Sequence, residues 1–118
     1  MLKFLYVGLG GALGAVLRYS FSFLPIASNK TIFINIIGAI VIGFVSFFSK
    51  NIKVLDQRLF LFLTTGLCGG FTTFSTFSLE TVQLIEKNEY FLALLYSLGT
   101  VMLSLIGIYI GYYLAKLF

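Results

Sequence analysis

The sequence predicts an all-α membrane protein of four transmembrane helices, and three observations carry that prediction. Of 118 residues, 59% are hydrophobic and 10% charged, which leaves too little polar surface for a water-soluble domain to cover itself. The apolar residues gather in four stretches, about Phe4 to Leu24, Thr31 to Ser49, Arg58 to Ile85 and Tyr90 to Ala115, each long enough for a bilayer crossing of roughly 20 residues. The joins between them are short and polar, so residues 1–118 read as one transmembrane domain.

The same composition removes whole classes of function. The net charge is +4, but the eight basic residues are scattered along the chain rather than gathered in a phosphate-binding face, so nucleic acid is not an expected partner. A single cysteine, Cys68, excludes an internal disulfide and a thiolate metal cluster. Histidine is absent, and with it the usual general base, zinc ligand and pH switch. No P-loop is present, and the glycines at Gly8 and Gly10 are followed by Leu13 where a dinucleotide fingerprint needs a third glycine. An enzyme is the least expected reading.

The first span ends at Pro25, the only proline, which with Ser28 and Asn29 reads as a loop. A signal peptide is the competing reading, because Lys3 precedes the apolar run. Arg18 late in that run and the lack of a small-x-small cleavage site argue against it. Gly10 and Gly14 make a small-xxx-small face for close helix contact.

In the second span Thr31 and Asn35 are four residues apart, hence on one helical face. Asn35 either bonds a neighbouring helix or faces a watery path. Gly38 and Gly43 again permit close approach.

The third span is too long and, in its second half, too polar for a simple crossing. Its stretch Gly66 to Glu80, GLCGGFTTFSTFSLE, sets five hydroxyls (Thr72, Thr73, Ser75, Thr76, Ser78) around Phe74 and Phe77. In hydrocarbon such a run is expensive without partners. A helix broken near Gly69 and Gly70 explains both features, and the carbonyls freed by a break call for a cation, another donor or a wet cavity.

The fourth span places Tyr96, Thr100 and Ser104 every four residues, a hydroxyl stripe on one face, with Gly107 and Gly111 as another small-xxx-small pair. Four packed helices fill their own centre with side chains, so a pore within so short a chain points to an oligomer.

Hydroxyls, an amide and the edges of phenylalanine rings all present partial positive charge, so the natural guest is a small anion. Phe74 and Phe77 are three apart and project to one side of a helix, with Glu80 a further three residues on.

GLCGGFTTFSTFSLE, together with GGALGAVLRY at Gly10 to Tyr19 and NIIGAIVIG at Asn35 to Gly43, resembles the small bacterial fluoride channels of the Fluc (CrcB) family. The match spans all four segments. It implies a passive fluoride-selective channel in the plasma membrane of a prokaryote, lowering fluoride toxicity. It also implies an antiparallel, dual-topology dimer with two separate pores and one structural sodium ion at its centre.

By that resemblance Phe74 and Phe77 contact fluoride through their ring edges, Asn35 is an amide donor near them, and Ser75 is a nearby hydroxyl. Tyr96, Thr100 and Ser104 form a polar track, with Thr31 and Glu80 near one end. Thr100 stands where the family pattern suggests serine, but the hydroxyl is kept. Gly69 and Thr72 lend sodium their backbone carbonyls, and Arg18 lies near the wide aqueous mouth. Glu80 is the awkward member, because a carboxylate beside an anion path repels the ion unless it is protonated or hydrogen-bonded away.

A homodimer of this kind needs a chain that inserts both ways, hence balanced Lys and Arg. Here Lys3, Lys50, Lys53, Arg58 and Lys116 lie on the side of the termini, against Lys30 and Lys87 opposite, with Arg18 unassigned. That bias favours cytoplasmic termini and keeps a paired homologous subunit open beside the homodimer, which is the preferred reading. Two rival functions remain. A small multidrug-type exporter shares the four spans, but its membrane-buried acid is missing from the first one. A purely structural subunit predicts that Phe74, Phe77 and Asn35 tolerate apolar replacement.

Overall fold

The computed structural model describes residues 1–25, 29–51 and 56–118, so the expected loop residue Ser28 and the charge at Lys53 lie outside the described residues. Helix α1 runs Leu2–Phe21 and α2 runs Lys30–Asn51. The third stretch is composite: α3 (Gln57–Leu61), a π-helical segment (Phe62–Cys68), α4 (Gly69–Phe71) and α5 (Phe74–Glu86). Helix α6 closes the chain at Tyr90–Lys116. Four helical stretches are long and apolar enough to cross a membrane, Gln57–Glu86 counted as one of them.

Glycines set how these helices pair. A Cβ on Gly14 would lie 2.8 Å from the Phe71 nitrogen, and one on Gly66 would lie 2.9 Å from Gly10 Cα. The backbones of α1 and the π-helical segment therefore touch directly, as small residues allow in membranes. Gly10 meets Gly66 and Gly14 meets Gly70, in ascending order along both stretches, so the two run parallel. Helices α2 and α6 repeat the device: Gly107 packs beside Ile36 and Ala39, and Gly111 beside Ile40 and Phe44. Both small-xxx-small faces read from the sequence thus serve helix packing.

Helix α5 turns into α6 through Asn88, which holds a left-handed φ of 62°. The N–H of Asn88 reaches Ile85 O and that of Glu89 reaches Leu84 O, both at 2.9 Å, the paired bonds of a Schellman ending.

The expected break near Gly69 and Gly70 is displaced. Gly69 is helical (φ −62°, ψ −38°) and α4 includes both glycines. The backbone becomes extended at Thr72 (φ −77°, ψ 158°) and Thr73 (φ −148°, ψ 118°). The glycines have another task. A Cβ on Gly70 would meet the Gly11 backbone, with Gly11 C at 3.1 Å, so Gly70 is small in order to admit α1. The helical ladder stops two residues later for a reason supplied by α2.

Candidate functional site

That reason is Asn35. The N–H of Thr73 donates to Asn35 Oδ1 at 2.9 Å, and Asn35 Nδ2 donates back to Thr73 O at 3.2 Å. In a continuous helix the Thr73 N–H would serve Gly69 O. The side-chain amide takes it instead, offering the same donor and acceptor pair as a backbone peptide. One Asn35 amide hydrogen remains beyond the bond to Thr73 O.

Thr73 also starts the next helix. Its Oγ1 accepts the N–H of Thr76 at 3.2 Å, an N-cap of the kind worth about 1 kcal/mol. That N–H is the regular donor to Thr72 O. The donors that would continue the ladder to the carbonyls of Gly69 and Thr72 are therefore both engaged elsewhere.

The crowded hydroxyls are largely paired locally. Thr72 Oγ1 donates to Cys68 O at 2.8 Å, Ser78 Oγ to Phe74 O at 2.9 Å, and Thr73 Oγ1 to Thr76 Oγ1 at 3.1 Å. Ser75 is exposed, its hydroxyl 3.4 Å from Thr73 Oγ1.

Two cavities meet at Thr73. The first, of about 410 Å³, lies between α2, the π-helical segment and α6. Asn35, Gly69, Thr72, Phe74, Phe77 and Ser104 line it. The second, of about 420 Å³, holds Arg18, Lys30, Thr31 and Thr76. Its lining carries two cations and no carboxylate, so its field favours anions. Arg18 Nε donates to Gly70 O at 3.1 Å, which holds the guanidinium against α4, and its other N–H groups have no hydrogen-bond partner among the described residues.

Phe74 and Phe77 are neighbours with different surroundings. Their ring centroids are 5.7 Å apart at 51°, yet Phe74 is 77% exposed and Phe77 only 9%. Phe77 in turn lies 5.4 Å from the Tyr96 ring, so three aromatic rings lead from the first cavity toward Glu80.

Glu80 is hydrogen-bonded from three sides. Asn29 Nδ2 donates at 2.9 Å, Tyr96 OH at 3.4 Å, and Thr31 Oγ1 to the other carboxylate oxygen. Asn29 also caps α2 by accepting the Thr31 N–H at 2.9 Å. Thr100 is buried, and its hydroxyl has no partner among the described residues.

The fold thus joins Thr31, Glu80 and Tyr96 in one network, and brings Asn35, Phe74, Phe77, Ser104, Gly69 and Thr72 to one cavity. Ser75 is not among the lining residues of either. Three participants were not singled out from the sequence. Asn29 read as a loop residue, Lys30 as one of the scattered charges, and Thr73 as one hydroxyl among five. A Ser or Thr just ahead of a helical stretch is an N-cap signal, and Thr73 carries it.

Fold and site together define a small multi-pass membrane protein whose polar groups surround an extended stretch between helices, with a cationic cavity beside it. A model of the family described as CrcB-like protein, Camphor Resistance (CrcB), matches residues 5–112. The chain is 42% identical to the fluoride-specific ion channel FluC of Helicobacter pylori (strain G27), over 98% of this chain and 94% of that one. It is 41% identical to the FluC of Helicobacter acinonychis (strain Sheeba), over 99% and 98%. With the FluC of Azobacteroides pseudotrichonymphae genomovar. CFP2 the identity is 37%, over 98% of each chain. The chain belongs to the CrcB family.

Proposed function

We propose that this protein is a fluoride-selective passive ion channel, not an enzyme, which lets fluoride leave the cytoplasm across a prokaryotic plasma membrane. The observation that carries the reading is the cavity lined together by Asn35, Phe74, Phe77 and Ser104, in a chain whose relatives are named fluoride-specific ion channels. Fluoride is strongly hydrated, and a pore for it replaces water with closely set donors. The Asn35 hydrogen left over from the bond to Thr73 O, the hydroxyls of Ser104 and Thr100 and the two ring edges are such donors. Arg18 and Lys30 raise the anion concentration at one mouth.

The exposed Phe74 ring supports assembly with a second subunit that completes the pore, either another copy of this chain in antiparallel orientation or a homologous partner. The carbonyls of Gly69 and Thr72, whose regular donors Asn35 and Thr73 Oγ1 divert, fit a hard cation, which takes oxygen ligands. Two carbonyls from each subunit would hold a structural sodium ion at the dimer centre.

Fluoride efflux from liposomes carrying this chain alone, measured with a fluoride electrode against chloride, tests the reading. Fast fluoride release without chloride release supports both channel and homodimer. No release alone, but release on co-expression with a homologous subunit, moves the reading to a heterodimer. No release in either case overturns it.

A further inference from the structure

The largest described cavity lies away from the site above, between the ends of α2 and α6. It measures about 740 Å³ and is lined by Lys50, Lys116, Tyr109, Tyr112 and Tyr113 with a floor of aliphatic side chains. Lys50 is in the last turn of α2 and Lys116 is the last residue of α6, so both ammonium groups belong to one membrane surface. No carboxylate lines the groove.

Its apolar floor descends along α6 from Lys116 through Ile110 to Ile106. Ten residues of helix span about 15 Å, which is half of a hydrocarbon core about 30 Å thick. The groove therefore runs from headgroup level to the middle of one leaflet. Tyr113, exposed at 66%, is about one turn from Lys116, where an aromatic belt meets the interface.

We propose that this groove is a binding site for an anionic phospholipid, its phosphate held between Lys50 and Lys116 and one acyl chain laid along Ile110 and Ile106. Charge and length select the occupant together. A free anion would be met by the two lysines but leaves the apolar floor uncovered. A zwitterionic lipid covers the floor, but its own cation opposes the lysines. Basic pockets between spans on a cytoplasmic face take such headgroups, and the excess of Lys and Arg on this side fits that orientation.

Native mass spectrometry of the detergent-purified protein titrated with phosphatidylglycerol or phosphatidylcholine tests this. The wild type is expected to retain phosphatidylglycerol in preference to phosphatidylcholine. Each lysine contributes about fivefold to affinity for an anionic surface, so K50Q/K116Q loses about 25-fold. K50R/K116R restores retention, and Ile110→Trp, which fills the groove with both lysines intact, abolishes it. Equal retention of both lipids by the wild type, or unchanged retention by K50Q/K116Q, overturns the proposal. Displacement of the lipid by millimolar inorganic phosphate reassigns the lysines to a free anion. A changed oligomer mass in K50Q/K116Q with lipid retention intact means that a second subunit covers the groove.

Discussion

Asn35 and Thr73 are joined by two reciprocal hydrogen bonds, 2.9 Å from the Thr73 N–H to Asn35 Oδ1 and 3.2 Å from Asn35 Nδ2 to Thr73 O. A side chain of α2 thus completes the backbone of the third span at the point where that backbone leaves the helix. Removing the amide leaves a peptide N–H and C=O unpaired in a part-buried site. Asn35→Leu is therefore expected to lower stability by about 2 kcal/mol and to abolish fluoride flux. An unchanged thermal midpoint in detergent would show that the extended stretch holds without it.

Phe74 and Phe77 separate function from stability. Phe74→Ile removes a ring that is mostly exposed in the single chain, so normal yield and fold are expected, with fluoride flux down about tenfold, the equivalent of about 1.4 kcal/mol of lost ion stabilisation. Phe77→Ala empties a buried position and is expected to cost about 3–5 kcal/mol in stability as well. Normal flux through Phe74→Ile would favour a purely structural role for the pair.

Thr31→Val keeps the shape of the side chain and deletes one of the three donors to Glu80. Leaving a part-buried acceptor without its donor costs about 1–3 kcal/mol, so the variant should melt earlier, and Tyr96→Phe, which removes the longer 3.4 Å bond, should melt less early. Equal midpoints for both variants would place the Thr31 contact outside the stabilising network.

Two glycine substitutions should have opposite signs. Gly14→Ala drives a Cβ to within 2.8 Å of the Phe71 nitrogen and is expected to separate α1 from α4, seen as loss of the purified folded protein. Gly99 has nothing within 4 Å of the same position. Gly99→Ala should stabilise α6 by about 0.5–1 kcal/mol, because alanine loses less backbone entropy.

Sodium dependence is the check on the carbonyls of Gly69 and Thr72. Exchange of sodium for a large organic cation is expected to weaken the dimer, read as a shift toward monomer on size exclusion. The same dimer fraction in both salts would remove the ion from the assembly.

The four crossings were legible in the sequence because burial in a bilayer needs only length and apolarity, and both are local properties of a stretch such as Tyr90 to Ala115. The small-residue pairs were legible too, since Gly10 with Gly14 and Gly107 with Gly111 share a face by helical periodicity alone. An interruption in the third span was readable from its length and its hydroxyls. Its position was not. Glycines suggested Gly69 and Gly70, but the outcome was decided by competition for one N–H. Asn35, 38 residues away in sequence, takes the Thr73 amide that the helix would have used, while Gly70 remains helical to admit α1. The partners of Glu80 were likewise undecidable from the chain, where it stood as a carboxylate near an anion path. Its three donors come from a loop end, from α2 and from α6, and only packing brings Asn29, Thr31 and Tyr96 to the same two oxygens.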